Sequence, residues 1–349
     1  MHRSPDGRPF TVIGENIHAT RVVRRDGPRH GQGPDGRAAL RFETPDGTER
    51  WFALPETILQ SGPYAAGKVK HVAAALLAGL DGGADAADAD AYVRWVAGRQ
   101  LDRGADYLDV NVDEVGLDAA LQADAMRWVV GILTDFTDTP LSLDSSSAAT
   151  LEVGLDALPA GAPTPLLNSA SAERPDVLDL AASRATAVVL SAAGKGAPPS
   201  TADAKTAAST AIAERAAGLG VPPERWHIDP LVLPVAVDPD AGRAYLEAVA
   251  GIRAALGDAP HVTGGLSNVS FGLPVRALLN RVFIDLAVSA GADSGIVDPV
   301  GLDIAAALDP DRDAPAYQLA ADALTGRDAY CMAYLTAYRS GQLADPGGG

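Results

Sequence analysis

Short apolar runs alternate along the chain with longer segments whose apolar positions recur every three or four residues. The short runs fall at 10–13, 107–112, 140–143, 165–167, 187–190, 226–228, 262–265 and 294–297. Helical spacing covers 89–103, 119–136, 148–158, 175–182, 202–219, 241–256 and 275–290, and a last helical region fills 314–338. Strands that alternate with helices in this way build parallel sheets from βα units. Eight such strands, each followed by a helix, predict an α/β chain folded as a (β/α)8 TIM barrel, a single domain over 1–349. The competing architecture is an open doubly wound sheet, which usually carries a glycine-rich phosphate loop after its first strand. Here the first strand runs into Gly14-Glu15-Asn16-Ile17-His18, which lacks the G-x-G-x-x-G spacing.

One stretch breaks the alternation. Residues 22–88 separate the first strand from the first barrel helix, whereas βα loops usually take roughly two to six residues. Within this insertion, 24–37 is rich in Gly, Pro and Arg and reads as a flexible loop. The segments 38–42 and 48–54 flank Pro45-Asp46-Gly47, the signature of a β-hairpin. Residues 68–80 read as a helix. A long loop after a barrel strand falls at the face where barrel active sites lie, so the insertion is either a lid or docking surface, or an excursion packed on the outside.

Composition sharpens this picture. Hydrophobic residues make up 47% of the chain but aromatics only 5%, so the core must be built from Ala, Leu and Val. A formal net charge of −17 argues against a nucleic-acid partner, because phosphate binding needs a basic footprint. The one cysteine, Cys331, can form no internal disulfide and sits in an apolar helical stretch, 329–338, as a small buried hydrophobe. The chain opens on polar residues without an apolar signal region and has no apolar run long enough to span a bilayer. A soluble, cytoplasmic protein is expected.

Polar residues recur where the strands end: Glu15 and Asn16 after the first, Asp109 and Asn111 on the second, then Asp144, Asn168 and Asp229, and Ser267 and Asn268 after the seventh. Singly, each reads as a turn or cap residue. Together, at the same end of six strands, they point to one functional cavity. The set is rich in carboxylates and amides and poor in basic groups. It contains no Ser-His-Asp arrangement, no H-E-x-x-H helix and no C-x-x-C pair, and no metal site is expected. Carboxylates and amides suit a flat neutral heterocycle with ring N–H and amino donors beside carbonyl acceptors, as at the aminopyrimidine end of a pterin. His227 and His261 open or precede strands and read as structural. His18 follows the first strand end and reads equally as a site residue or a loop histidine.

In order and spacing, several segments resemble the pterin-binding family. They are Ile13-Gly14-Glu15-Asn16, Leu108-Asp109-Val110-Asn111-Val112-Asp113-Glu114, Leu143-Asp144-Ser145-Ser146, Leu167-Asn168-Ser169, Ile228-Asp229-Pro230-Leu231 and Gly265-Leu266-Ser267-Asn268-Val269-Ser270-Phe271-Gly272-Leu273-Pro274. The last, continuing into Arg276 and Leu279-Asn280-Arg281, is most like the branch of methyltetrahydrofolate:corrinoid methyltransferases. The family also includes the folate module of cobalamin-dependent methionine synthase and the dihydropteroate synthases. The resemblance implies that Asp144, Asn168 and Asp229 bind the pterin ring, that Asn268 sits beside N5 of the folate, that Arg276 lies near the active site, and that Asp109 and Asn111 line the pocket floor. It implies transfer of the N5-methyl group of 5-methyltetrahydrofolate to or from the cobalt of a corrinoid (cobalamin) carried by a partner protein, since no corrinoid-binding module is visible in this sequence. A homodimer is expected by the same resemblance. The chain departs from the family after the first strand, where relatives show Glu-Arg-x-Asn and this chain has Asn16 in place of the Arg and His18 in place of the Asn. Two alternatives stay open: a folate- or pterin-binding protein without turnover, and a dihydropteroate synthase-like enzyme, which the missing N-V-T-P-D-S-F after the first strand disfavours.

Overall fold

The computed structural model describes residues 2–343; Met1 and residues 344–349 of the expected 1–349 domain lie outside them. The fold is α/β, with parallel strands alternating with helices. It divides into two compact units: an N-terminal unit of residues 15–102 and 107–165, and a C-terminal unit of residues 2–14, 103–106 and 166–343.

In the N-terminal unit, strands Tyr107–Asn111 and Leu141–Asp144 pair in parallel, with Asn111 opposite Asp144 at their C-terminal ends. The helix between them, Ala119–Phe136, starts where the Asp118 carboxylate accepts the Ala120 N–H at 2.9 Å, satisfying an amide that the helix cannot. Its buried stripe of Ala125, Met126, Val129, Val130 and Leu133 follows the 3.6-residue period. Gly79, on helix His71–Asp81, faces the Trp128 ring so closely that a Cβ would lie 2.0 Å from it.

The insertion belongs to this unit. Ala38–Glu43 and Glu49–Ala53 pair antiparallel across a turn in which Gly47 takes φ +81°. His30–Gln32, inside the stretch expected to be a flexible loop, adds a third strand beside Ala38–Leu40. Val22–Arg24 pairs with Lys68–Lys70, so the helix expected from residue 68 begins at His71. The small sheet is anchored by aromatic contacts onto helix Ala86–Leu101: Phe42 and Phe52 lie 5.3 and 5.4 Å from Tyr92, and the Arg29 guanidinium stacks 4.8 Å from the Trp95 ring. These contacts supply the burial that Gly, Pro and Arg composition alone does not foretell.

In the C-terminal unit, Leu166–Ala170, Ala187–Ser191, Trp226–Asp229 and His261–Val262 pair in parallel in chain order. Strand Pro9–His18 contributes its first half here, and Thr11 to Gly14 pair in parallel with Ser294 to Val297. The first strand of the alternation thus lies beside the last. The seventh strand is shorter than its apolar run because the chain turns at once into a 3-10 segment, Leu266–Ser270. The helical region expected over 314–338 is broken into Pro315–Leu324 and Met332–Arg339, with Tyr330 and Cys331 both left-handed between them at φ +54° and +55°. Cys331 is buried. Among the described residues no helix is long and apolar enough to cross a membrane.

Candidate active site

The N-terminal unit brings together six of the expected residues. Parallel register sets Asn111 beside Asp144, and the Asn111 amide donates to the Asp144 carboxylate at 2.9 Å. The Asn111 oxygen accepts the Asp113 N–H at 3.1 Å, which fixes the orientation of its amide. Two register positions earlier, the buried Asp109 carboxylate accepts from Ser142 Oγ at 2.5 Å. Asp109 is therefore held by the neighbouring strand, while Asp144 is only partly buried. Asp113 accepts from Ser145 Oγ at 2.6 Å and from the Ser146 N–H at 2.7 Å, tying down the turn that follows Asp144.

At the end of the first strand, Glu15 forms an ion pair with Arg21 at 2.7 Å. The Asn16 N–H donates to the buried Gln100 side chain at 3.0 Å, and the Asn16 side-chain oxygen is buried with no partner. His18 Nδ1 accepts the Thr20 N–H at 3.2 Å, so the proton of the neutral ring resides on Nε2, which lies 3.9 Å from Asp144. Burial, reinforced by the nearby positive charge of Arg21, pushes the His18 pKa down to about 4 and keeps the ring neutral at neutral pH. Where relatives have Glu-Arg-x-Asn, this chain thus presents an orphan amide acceptor and a neutral N–H donor.

The C-terminal unit holds the other expected residues. Asn168 lies within strand Leu166–Ala170, and Asp229 ends strand Trp226–Asp229. Asp229 accepts the Leu231 N–H at 2.8 Å, a return that requires Leu231 to adopt φ +67°. Enclosure by the surrounding protein raises its pKa to about 6, against the lowering effects of that hydrogen bond and of Lys205. Asn268 sits in the 3-10 segment, close against Gly265, where a Cβ would meet its amide nitrogen at 2.8 Å. Arg276 secures this segment by donating to Ser267 O at 2.9 Å and to Ser270 Oγ at 3.0 Å, with its guanidinium 4.3 Å over the Phe271 ring. Its charge serves the loop that carries Asn268.

Three side chains that sequence reading leaves without a role belong to this machinery: Asp113, Gln100 and Lys205. Asp113 stands inside a motif quoted above, which is a usable signal. Gln100 and Lys205 lie in helical segments and carry none. His227 and His261 stack on each other with ring centroids 4.6 Å apart, in register on adjacent strands, and His261 pairs with Asp293 at 2.9 Å. This pair sits away from the strands' C-terminal ends.

A family model described as pterin binding enzyme matches residues 80–298. The chain belongs to the pterin-binding enzyme family. Among its relatives, a protein of Eubacterium limosum named methylcorrinoid:tetrahydrofolate methyltransferase is 31% identical over 260 residues, covering 73% of this chain and 89% of that protein. A methionine synthase of Mycobacterium tuberculosis is 32% identical over 213 residues, covering 58% of this chain but 18% of that much longer protein. The fold is similar to that of a dihydropteroate synthase from Stenotrophomonas maltophilia, with a TM-score of 0.51 at 19% identity over 63% of this chain and 86% of the other. The strand-end carboxylates and amides thus stand in a chain whose family binds pterins.

Proposed function

We propose that this protein is a methyltransferase that binds 5-methyltetrahydrofolate and passes its N5-methyl group to, or accepts it from, the cobalt of a corrinoid on a partner protein. The observation that carries the reading is the loop Gly265 to Arg276, which holds Asn268 by backbone turns and an arginine staple, in a chain 31% identical to a methylcorrinoid:tetrahydrofolate methyltransferase. The eightfold βα order and the pairing of the first strand with the last support a (β/α)8 barrel as its frame.

N5 of methyltetrahydrofolate is a tertiary amine and a poor leaving group. For the N5–methyl bond to break with the electron pair remaining on nitrogen, N5 must carry a proton. The Asn268 amide oxygen can accept a hydrogen bond from protonated N5 and stabilise the charge as it develops. Asn cannot supply that proton. Asp229, with its pKa near 6, is protonated often enough at neutral pH to deliver one through a water, and it recovers its proton from solvent. Asp144 accepts from the pterin amino and ring N–H groups, Asn168 completes the polar edge, and the corrinoid supplies the cobalt that takes up or gives the methyl group. Asn16 offers an acceptor in place of the family's Arg, and His18 a donor in place of its Asn.

Calorimetric titration with 5-methyltetrahydrofolate, tetrahydrofolate and a pterin pyrophosphate tests this reading. Saturable binding of the methylated folate is expected. Tighter binding of the pterin pyrophosphate would turn the assignment to pteroate synthesis, and binding of no pterin would overturn it.

A further inference from the structure

Lys205 is the fourth residue of helix Ala202–Gly218, and its side chain is fully buried. Its ammonium donates to Pro230 O at 2.9 Å and to Leu231 O at 2.6 Å. Those are the two carbonyls that follow Asp229, and the second of these residues, Leu231, holds the left-handed turn that returns its own N–H to the Asp229 carboxylate. Burying a lysine is costly unless its charge is used. Two backbone carbonyls could be satisfied by a neutral amide at lower cost, so pinning the turn does not by itself account for an ammonium. The nearby negative charge does: Asp229 and Asp238 both favour the charged lysine, while burial brings its pKa down to about 8.

We infer that Lys205 is a positioning residue for Asp229: it clamps the Pro230 and Leu231 carbonyls so that the turn presents the Asp229 carboxylate, and its buried charge sets how readily that carboxylate gives and takes a proton. The inference rests on the proposed role of Asp229 in folate binding and N5 protonation. The other titratable groups whose fields couple to this pair are Asp238, which acts on Lys205, and Tyr245 on helix Ala241–Leu256, whose hydroxyl is buried and donates to Thr263 O at 2.8 Å. Tyr245 stays neutral, because burial raises its pKa well above the ordinary value, so Lys205 is the cation of the set.

The test is an NMR titration of ligand-free protein labelled with 13C at the aspartate carboxyl carbon, the Asp229 signal being the one lost in Asp229→Asn. In the wild type it should titrate near pH 6. In Lys205→Met its midpoint should rise by about one pH unit, a roughly tenfold gain in proton affinity, and Lys205→Arg should restore it. Lys205→Gln keeps a donor for the carbonyls while losing the charge, and should show the same rise if the Met variant does not fold. The turnover–pH profile should move with the NMR midpoint. An unchanged midpoint in both neutral variants, with only a lower melting temperature, would overturn the inference and leave Lys205 a structural peg. Because the carboxyl titration needs no folate, failure of wild-type protein to bind folate would sink the proposed function while the titration still judges Lys205.

Discussion

Two aspartates at strand ends, Asp144 in the N-terminal unit and Asp229 in the C-terminal unit, look alike in sequence and differ in setting. Asp144 takes a hydrogen bond from the Asn111 amide and lies 3.9 Å from the neutral His18 ring, at the end of a network of amides and hydroxyls that holds Asn111, Asp113 and the following turn in place. Asp229, half-buried like Asp144, takes one backbone N–H from a strained turn, has a buried lysine nearby, and has its pKa pushed up to about 6 by desolvation. The first environment favours a carboxylate that accepts hydrogen bonds and stays put. The second brings protonation into the working range of pH. In the proposed function one residue type would serve recognition in one place and proton handling in the other, with desolvation at Asp229 making the difference.

The largest effect that could break this comparison comes from neither carboxylate. Replacing Asn268 with Ala should lower methyl transfer by about a hundredfold, as expected for loss of one donor or acceptor that acts on developing charge, while folate affinity stays within a few fold. Single-turnover kinetics with a methylated corrinoid protein would read this, and an unchanged rate would remove Asn268 from the chemistry. Asp144→Ala should weaken 5-methyltetrahydrofolate binding by roughly 10- to 100-fold, the consequence of losing hydrogen bonds to a charged acceptor, and it should do so equally at pH 5.5 and 7.5 in calorimetry. A loss confined to one pH would mean that Asp144 and Asp229 have been assigned each other's roles. The smallest effect is on stability. Asp229 holds its proton more tightly in the fold, at about pH 6, than in the unfolded chain, near 3.8. The folded state therefore binds more protons between those values, and the carboxylate's contribution to stability falls as pH rises from about 4 to 6. Melting curves of the wild type measured against Asp229→Asn should diverge over that window, with the variant gaining as pH rises. Parallel curves would show that Asp229 titrates as an ordinary surface acid.

The frame was legible because it depends on local periodicity. Each apolar run that alternates with a 3.6-period stretch became a strand; the helix 119–136, capped by Asp118, kept its bounds, and other boundaries moved by a few residues. The polar residues at the strand ends were legible for the same reason, since a strand end is a place that sequence can mark. Lys205 was not. It lies in a helix so rich in alanine that no face of it stands out, and its burial is decided by a turn some 25 residues further on. Gln100 hides in the same way on helix Ala86–Leu101, and its contact with Asn16 joins residues 84 positions apart. The strand His30–Gln32 was hidden because Gly and Pro weaken the local signal, while the aromatic anchors that hold its sheet are supplied by another helix. The left-handed pair Tyr330 and Cys331 interrupts a segment whose composition favours unbroken helix, so tertiary packing overrides propensity there.

The pairing of Thr11 to Gly14 with Ser294 to Val297 has a consequence for how the chain is born. A ribosome delivers residues in order, so everything that residues 15–165 need from one another emerges well before residues 294–297 do. The edge of residues 11–14 that pairs with residues 294–297 must wait, unpaired, until those residues have left the exit tunnel. Closing so long a loop is entropically costly and comes late. During that interval an apolar strand edge stands open to other chains, and the nascent protein is exposed to misassembly until its late partner strand arrives.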